Sequence, residues 1–274
     1  LYKILFKPDK NAPEYKAVVD AAKKAQRAPL DLLVAAGAID SPYQFHWRRF
    51  LFEQFPKGAG FPASLVAPEI RDELPLAEGV RAFSIDDSAT TEIDDALSVQ
   101  GLGSGTIVFG VHIAAPALAI QPDSAIDKVA RDRFSTVYMP GWKLTMLPDE
   151  VVQSYTLQEG RDCPAVSLYV TMDEATLELK STETKLERVP IVANLRHDKL
   201  DAVVTEAALS GEAPADFDFA PELAFGWRLA RHLKAQREVV RGKPENFNRP
   251  DYNFRLQDAD GQSPSAPPDG RETV

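Results

Sequence analysis

Between Phe83 and Val99 the chain reads FSIDDSATTEIDDALSV, and five of those side chains are carboxylates: Asp86, Asp87, Glu92, Asp94 and Asp95. The stretch is flanked by two apolar segments, Val80–Ile85 and Ala96–Val99, that read as buried. Carboxylates crowded at the mouth of a core repel one another and resist ionisation. A hard cation such as Mg2+ reverses that cost, because oxygen donors are its preferred ligands. Asp94 and Asp95 are adjacent, so on an extended chain they point to opposite faces and need a turn to converge. Ser88-Ala89-Thr90-Thr91 is a small polar loop able to fold Asp86 back toward the other acids. Asp86, Glu92, Asp94 and Asp95 are therefore candidate metal ligands and catalytic residues for phosphodiester hydrolysis at one or two metal ions. Residue types alone leave a solvated acidic loop and a structural calcium site open beside that reading. An EF-hand is excluded, since its glycine and terminal glutamate are missing.

Further motifs follow in a fixed order. After Asp86, Glu92 and Asp94-Asp95-Ala96 come Gly110-Val111-His112-Ile113-Ala114, Pro122–Tyr138, Met139-Pro140-Gly141 and Met146-Leu147-Pro148. This series resembles the ribonuclease II/ribonuclease R (RNB-domain) exoribonucleases, in their proteobacterial ribonuclease II branch, from about Val80 to Phe254. The resemblance implies 3′-to-5′ hydrolysis of single-stranded RNA to nucleoside 5′-monophosphates, with Mg2+ as cofactor and Mn2+ as a substitute. It implies metal ligation by Asp86, Glu92, Asp94 and Asp95, and a grip on the RNA 3′ end by Tyr138. His197 stands where the family often has an aromatic residue contacting RNA. Two departures are visible: Glu92 occupies a position where Asp is usual, and Ala115 one where Asp is frequent. Family members also continue into a second half with a charge-stabilising arginine and carry OB-type domains on both flanks. The chain is thus expected to be a fragment of a longer parent, weakly active or inactive alone.

Charge and cysteine usage limit the alternatives. A net charge of −10 argues against a protein that coats nucleic acid by bulk electrostatics, though a local basic path remains compatible with it. A single cysteine, Cys163, excludes an internal disulfide and fits a reducing, cytoplasmic setting, with no membrane partner. Two other functional classes stay in play: an RNA-binding relative without catalysis, and a non-nuclease protein whose acidic loop binds metal.

The expected fold class is α+β: a helical N-terminal segment over 1–79, a mixed sheet with surrounding helices over 80–256, and a flexible tail over 257–274. Proline at a first helical turn predicts helices from Pro13, Pro29 and Pro42, the last capped by Ser41. The aromatic face of that last helix (Phe45, Trp47, Phe50, Phe55) reads as core more readily than as a base-stacking stripe. Ala96–Gln100 and Thr106–Ile113 read as a hairpin, Ala165–Met172 and Leu177–Val192 as strands, and Asn246–Leu256 as a last strand. Gly101–Gly105 lacks the lysine and following helix of a phosphate loop and reads as a hairpin connection. His112 reads as structural. Arg228, Arg231, Lys234, Arg237 and Arg241 form a basic row on a helix, solvated or lining an RNA path.

Overall fold

A computed structural model describes residues 3–62, 65, 73–88, 90–139 and 142–245. They group into two compact units, 3–62 with Tyr138–Leu144, and 65–137 with 145–245. The expected strand at Asn246–Leu256 and the tail at 257–274 lie outside the described residues.

Four helices build most of the first unit: α1 (Lys3–Phe6), α2 (Pro13–Ala25), α3 (Pro29–Ala35) and α4 (Pro42–Gln54). Proline sits in the first turn of α2, α3 and α4, where its missing N–H costs nothing. Ser41 caps α4 by accepting the Gln44 N–H at 3.1 Å. Phe45 enters a core with Phe6, Leu33 and Ile39, and Trp47 is buried too, so the aromatic face of α4 is packing surface.

The second unit is organised around a five-stranded closed barrel. Its first strands, β1 (Ala82–Asp86), β2 (Asp95–Gln100) and β3 (Thr106–Ala114), form an antiparallel meander. After a 3-10 turn at Pro116–Leu118 comes α5 (Ala125–Arg133); the chain then passes through the short strands β4 (Val137–Met139) and β5 (Trp142–Leu144), which belong mostly to the first unit, and returns with α6 (Asp149–Tyr155). Ser124 caps α5 by accepting the Asp127 N–H at 3.2 Å. Then β6 (Asp162–Asp173) and β7 (Leu179–Arg196) form a long antiparallel hairpin, followed by α7 (His197–Leu200), α8 (Glu206–Ser210) and α9 (Ala220–Arg241). The barrel order is β1-β2-β3-β6-β7, closed by a parallel pairing of β1 with β7 that runs from Ala82↔Ile191 to Asp86↔Arg196. Helices packed on a mixed sheet place the chain in the α+β class.

Closure follows from small inward side chains. Ala82, Ala96, Cys163 and Ala165 are almost wholly buried and pack with Leu157, Val189 and Ile191 inside the barrel. Five strands enclose too little width for larger residues on every strand. Ala77 and Val80, ahead of β1, join the same core. Burial pushes the Cys163 thiol up, so it serves as a small hydrophobe. Outside the barrel, Phe225 and Leu229 of α9 cover Ile107, Met172 and Leu177, a burial worth about 2 kcal/mol per large side chain. Among the described residues no helix is long and apolar enough to cross a membrane.

The barrel interior also holds a buried polar system. His112 is fully buried, with its Nε2 2.9 Å from Ser98 Oγ and its Nδ1 2.8 Å from Ser167 Oγ. Three strands are thereby tied through one imidazole. Beside it the Tyr169 hydroxyl donates to buried Glu187 at 2.5 Å, and desolvation with that carboxylate pushes the phenol well up.

Candidate functional site

The acidic stretch sits where β1 ends and β2 begins. Asp86 ends β1 and Asp94 immediately precedes β2, the two strands pairing antiparallel at Phe83↔Leu97. Ile93 anchors the connection: it is buried, its N–H donates to Thr156 Oγ1 at 2.8 Å, and its carbonyl accepts from Leu157 N–H at 2.9 Å. Glu92 and Asp94, on either side of that anchor, line a cavity of about 140 Å3 with Thr136, Met146, Val151 and Thr156. Asp95 opens β2 opposite Ile113, and both are exposed. Asp86 is oriented by a relay: Asn194 Nδ2 donates to Ser84 Oγ at 2.9 Å, and the Ser84 hydroxyl donates to Asp86 Oδ2 at 2.6 Å.

Residues that sequence reasoning passed over hold the turn between the acids. Arg196 Nη1 donates to the carbonyls of Asp87 at 2.9 Å and Thr90 at 3.2 Å. The Ser88 hydroxyl donates to Asp198, which holds that carboxyl below its usual range. The signal available for both was only their place one step before and after His197. His197 itself is exposed at the start of α7. Tyr138 lies on β4, 69% exposed, in the first unit.

The donor set is of the right kind for a hard cation, yet it is spread out. Among the described residues no group of three or more His, Cys, Asp or Glu side chains is placed to hold a metal ion. Glu92 and Asp94 face the cavity, Asp86 is held by Ser84, and Asp95 belongs to the row of Ile113. In this arrangement the four carboxylates do not constitute a closed ligand sphere.

Two other candidate anion sites are already satisfied internally. In the loop after β2, Glu174 accepts from the N–H groups of Gly103 at 2.8 Å and Gly105 at 2.9 Å, so a carboxylate fills the place a phosphate would take. Gly101, at φ +84°, is required there, because a Cβ would stand 2.3 Å from the Thr106 carbonyl oxygen. The basic row of α9 is paired as well: Arg231 with Glu206 at 3.2 Å, Lys234 with Glu238 at 3.8 Å, and Arg237 and Arg241 with Glu245 at 3.0 and 2.6 Å. Arg228 donates to the Glu174 carbonyl. Substituting Arg237 and Arg241 together by Gln is therefore expected to change single-stranded RNA affinity less than about twofold, measured by fluorescence anisotropy at fixed salt. A tenfold loss would put this helix on the RNA path.

Comparison with known proteins matches this architecture. A family model described as "RNB domain" matches residues 76–267, from the edge of the barrel core onward. Exoribonuclease 2 of Vibrio parahaemolyticus is 34% identical over 118 residues, covering 41% of this chain and 18% of that protein. The structure of Mycoplasma genitalium RNase R in complex with ribose-methylated single-stranded RNA aligns with a TM-score of 0.51 at 19% identity, over 66% of this chain and 27% of that one. Yeast Ssd1, described as a pseudonuclease, aligns with a TM-score of 0.57 at 23% identity, over 76% of this chain and 26% of that one. The chain spans less than a third of each of these proteins. At these identities the two structures establish a shared fold. The family match covers most of the chain and includes the whole barrel with its acidic turn, and the chain therefore belongs to the RNB domain family.

Proposed function

We propose that the chain carries part of the catalytic domain of a metal-dependent 3′-to-5′ exoribonuclease that hydrolyses single-stranded RNA to nucleoside 5′-monophosphates. The observation that carries this reading is the placement of Asp86, Glu92, Asp94 and Asp95 on one barrel-end turn inside the matched RNB segment. Mg2+, with Mn2+ as a substitute, is the proposed cofactor, since these side chains offer only hard oxygen donors. When bound, such an ion polarises water and neutralises charge at the scissile phosphate. The four carboxylates do not form a closed ligand set in this arrangement, so taking up the ion requires them to reorient on the turn held by Arg196 and Asp198. Asn194 and Ser84 keep Asp86 oriented. Tyr138 and His197 are proposed RNA contacts, and OB-type domains are proposed for the parent. The lone buried Cys163 supports a cytoplasmic setting.

A second reading has a specific support. The carboxylates are not gathered, and a pseudonuclease shares the fold, so an RNA-binding protein without turnover is its rival. The deciding assay uses 5′-labelled single-stranded RNA with Mg2+ or EDTA. It compares this chain, a version extended to the length of its relatives, and the extended Asp95→Asn variant. The extended protein is expected to give a metal-dependent ladder shortening from the 3′ end. Asp95→Asn is expected to slow it by about 100-fold or more. Retained binding with intact RNA in every lane would establish the non-catalytic reading instead.

A further inference from the structure

Among the described residues three bulky apolar ones adopt positive φ: Leu177 at 61°, Phe219 at 60° and Phe134 at 66°. For side chains of this size that backbone region is strained, and the cost must be offset elsewhere. In two cases packing offsets it. Leu177 is buried among Ile107, Met172, Phe225 and Leu229. The Phe219 ring lies 4.6 Å from that of Phe83. Phe134 has no such compensation, for it is 87% exposed at the C-terminus of α5.

The backbone that carries it is nevertheless held on both sides. The Phe134 N–H donates to the Ala130 carbonyl at 2.7 Å. One residue earlier, Arg133 Nη1 donates to the Thr145 carbonyl at 2.8 Å. Two residues later, Thr136 Oγ1 accepts the Met146 N–H at 3.2 Å. Thr136 also lines the cavity shared by Glu92 and Asp94. That cavity, about 140 Å3, is smaller than the roughly 300–1,000 Å3 of small-molecule sites. It accommodates an ion or a few waters, and a nucleobase must be held outside it. An exposed aromatic ring on backbone held this firmly, two residues from Thr136, is suited to hold a base, because every base offers a π-face for stacking.

We infer that Phe134 is a stacking platform for a base of single-stranded RNA, holding it outside the cavity lined by Glu92, Asp94 and Thr136. This inference rests on the RNA-directed reading of the chain. It assigns to Phe134 a base-holding role, with the positive-φ backbone directing the side chain outward from the end of α5.

The test measures RNA affinity by fluorescence anisotropy and thermal stability, using the 274-residue chain and a single-stranded oligonucleotide with one abasic nucleotide moved along its 3′ end. Phe134→Ala and Phe134→Gly are expected to weaken binding about tenfold, and Phe134→Trp to retain it. Phe134→Gly is also expected to raise Tm, since glycine relieves the positive φ. In the wild type one abasic position should lower affinity, and in Phe134→Ala that position-specific loss should vanish. Unchanged affinity and an unchanged abasic profile in Phe134→Ala would overturn the platform while leaving the RNA reading intact. Absence of RNA binding by the wild type would overturn both.

Discussion

Gly110→Ala is expected to lower stability by about 3–5 kcal/mol, as a drop in the urea midpoint at unchanged m-value. Gly110 is buried on β3, where an added Cβ would stand 2.3 Å from Ser98 Oγ and 2.7 Å from His112 Nε2. Neither neighbour has room to withdraw, since both are almost wholly buried. The methyl group therefore overpacks the barrel and separates the Ser98–His112 pair. Overpacking costs about 1–3 kcal/mol, and each buried polar group left unpaired adds about 1–3 kcal/mol. The mechanism is checked by Ser98→Ala in the same chain. It removes the atom that clashes most, so the double variant should be less destabilised than the sum of the singles. A near-neutral Gly110→Ala would mean that the serine–histidine contact is not formed in the folded barrel.

This polar core marks the limit of what local sequence conveys. The acidic stretch, the Pro-initiated helices, the Ser41 and Ser124 caps and the β2–β3 hairpin are all written in short-range pattern, and the structure has them. Barrel closure is not, because β1 pairs in parallel with β7 across more than a hundred residues. Nor are the partners of His112, for Ser98 and Ser167 lie 14 and 55 residues away. The start of β6, expected at Ala165 and found at Asp162, was hidden by proline. Pro164 sits just beyond the β3 ladder, which stops at Ala114↔Ala165, and Pro190 just before the β1 ladder begins at Ile191. The missing donors therefore do not interrupt those two pairings, and β6 begins ahead of Pro164 while β7 runs through Pro190 as expected. At the candidate site, residue types were legible and their mutual placement was not. The anchoring of Ile93 by Thr156 directs Glu92 and Asp94 to the cavity, and 63 residues separate the two partners.

Stability is expected to fall by about 2 kcal/mol between pH 7 and pH 5 through His112 alone. Burial pushes this imidazole down from 6.5 to about 4, and the Glu187 charge opposes that shift only in part. Its other neighbours are the Ser98 and Ser167 hydroxyls and the edge of the Tyr169 ring at 5.6 Å. Lys185 lies over the same ring and adds a positive charge nearby. Because the folded-state pKa lies below the unfolded one, the unfolded chain binds the extra proton first as pH falls. The contribution is complete above about pH 6.5 and is lost as pH falls toward 4. Several half-buried carboxylates, including Asp127, Asp173 and Glu174, are held low by hydrogen bonds and lose their own contribution at more acid pH. They are common to wild type and variant, so a difference measurement removes them. His112→Gln should be less stable at pH 7, where the neutral imidazole fits its two serines, yet flatter in pH dependence. Urea midpoints at pH 7, 6 and 5 for both proteins should converge as the pH falls. Parallel loss in the two proteins would show that His112 does not titrate with unfolding, and the buried serine–histidine–serine bridge would then have to be abandoned as the source of acid sensitivity.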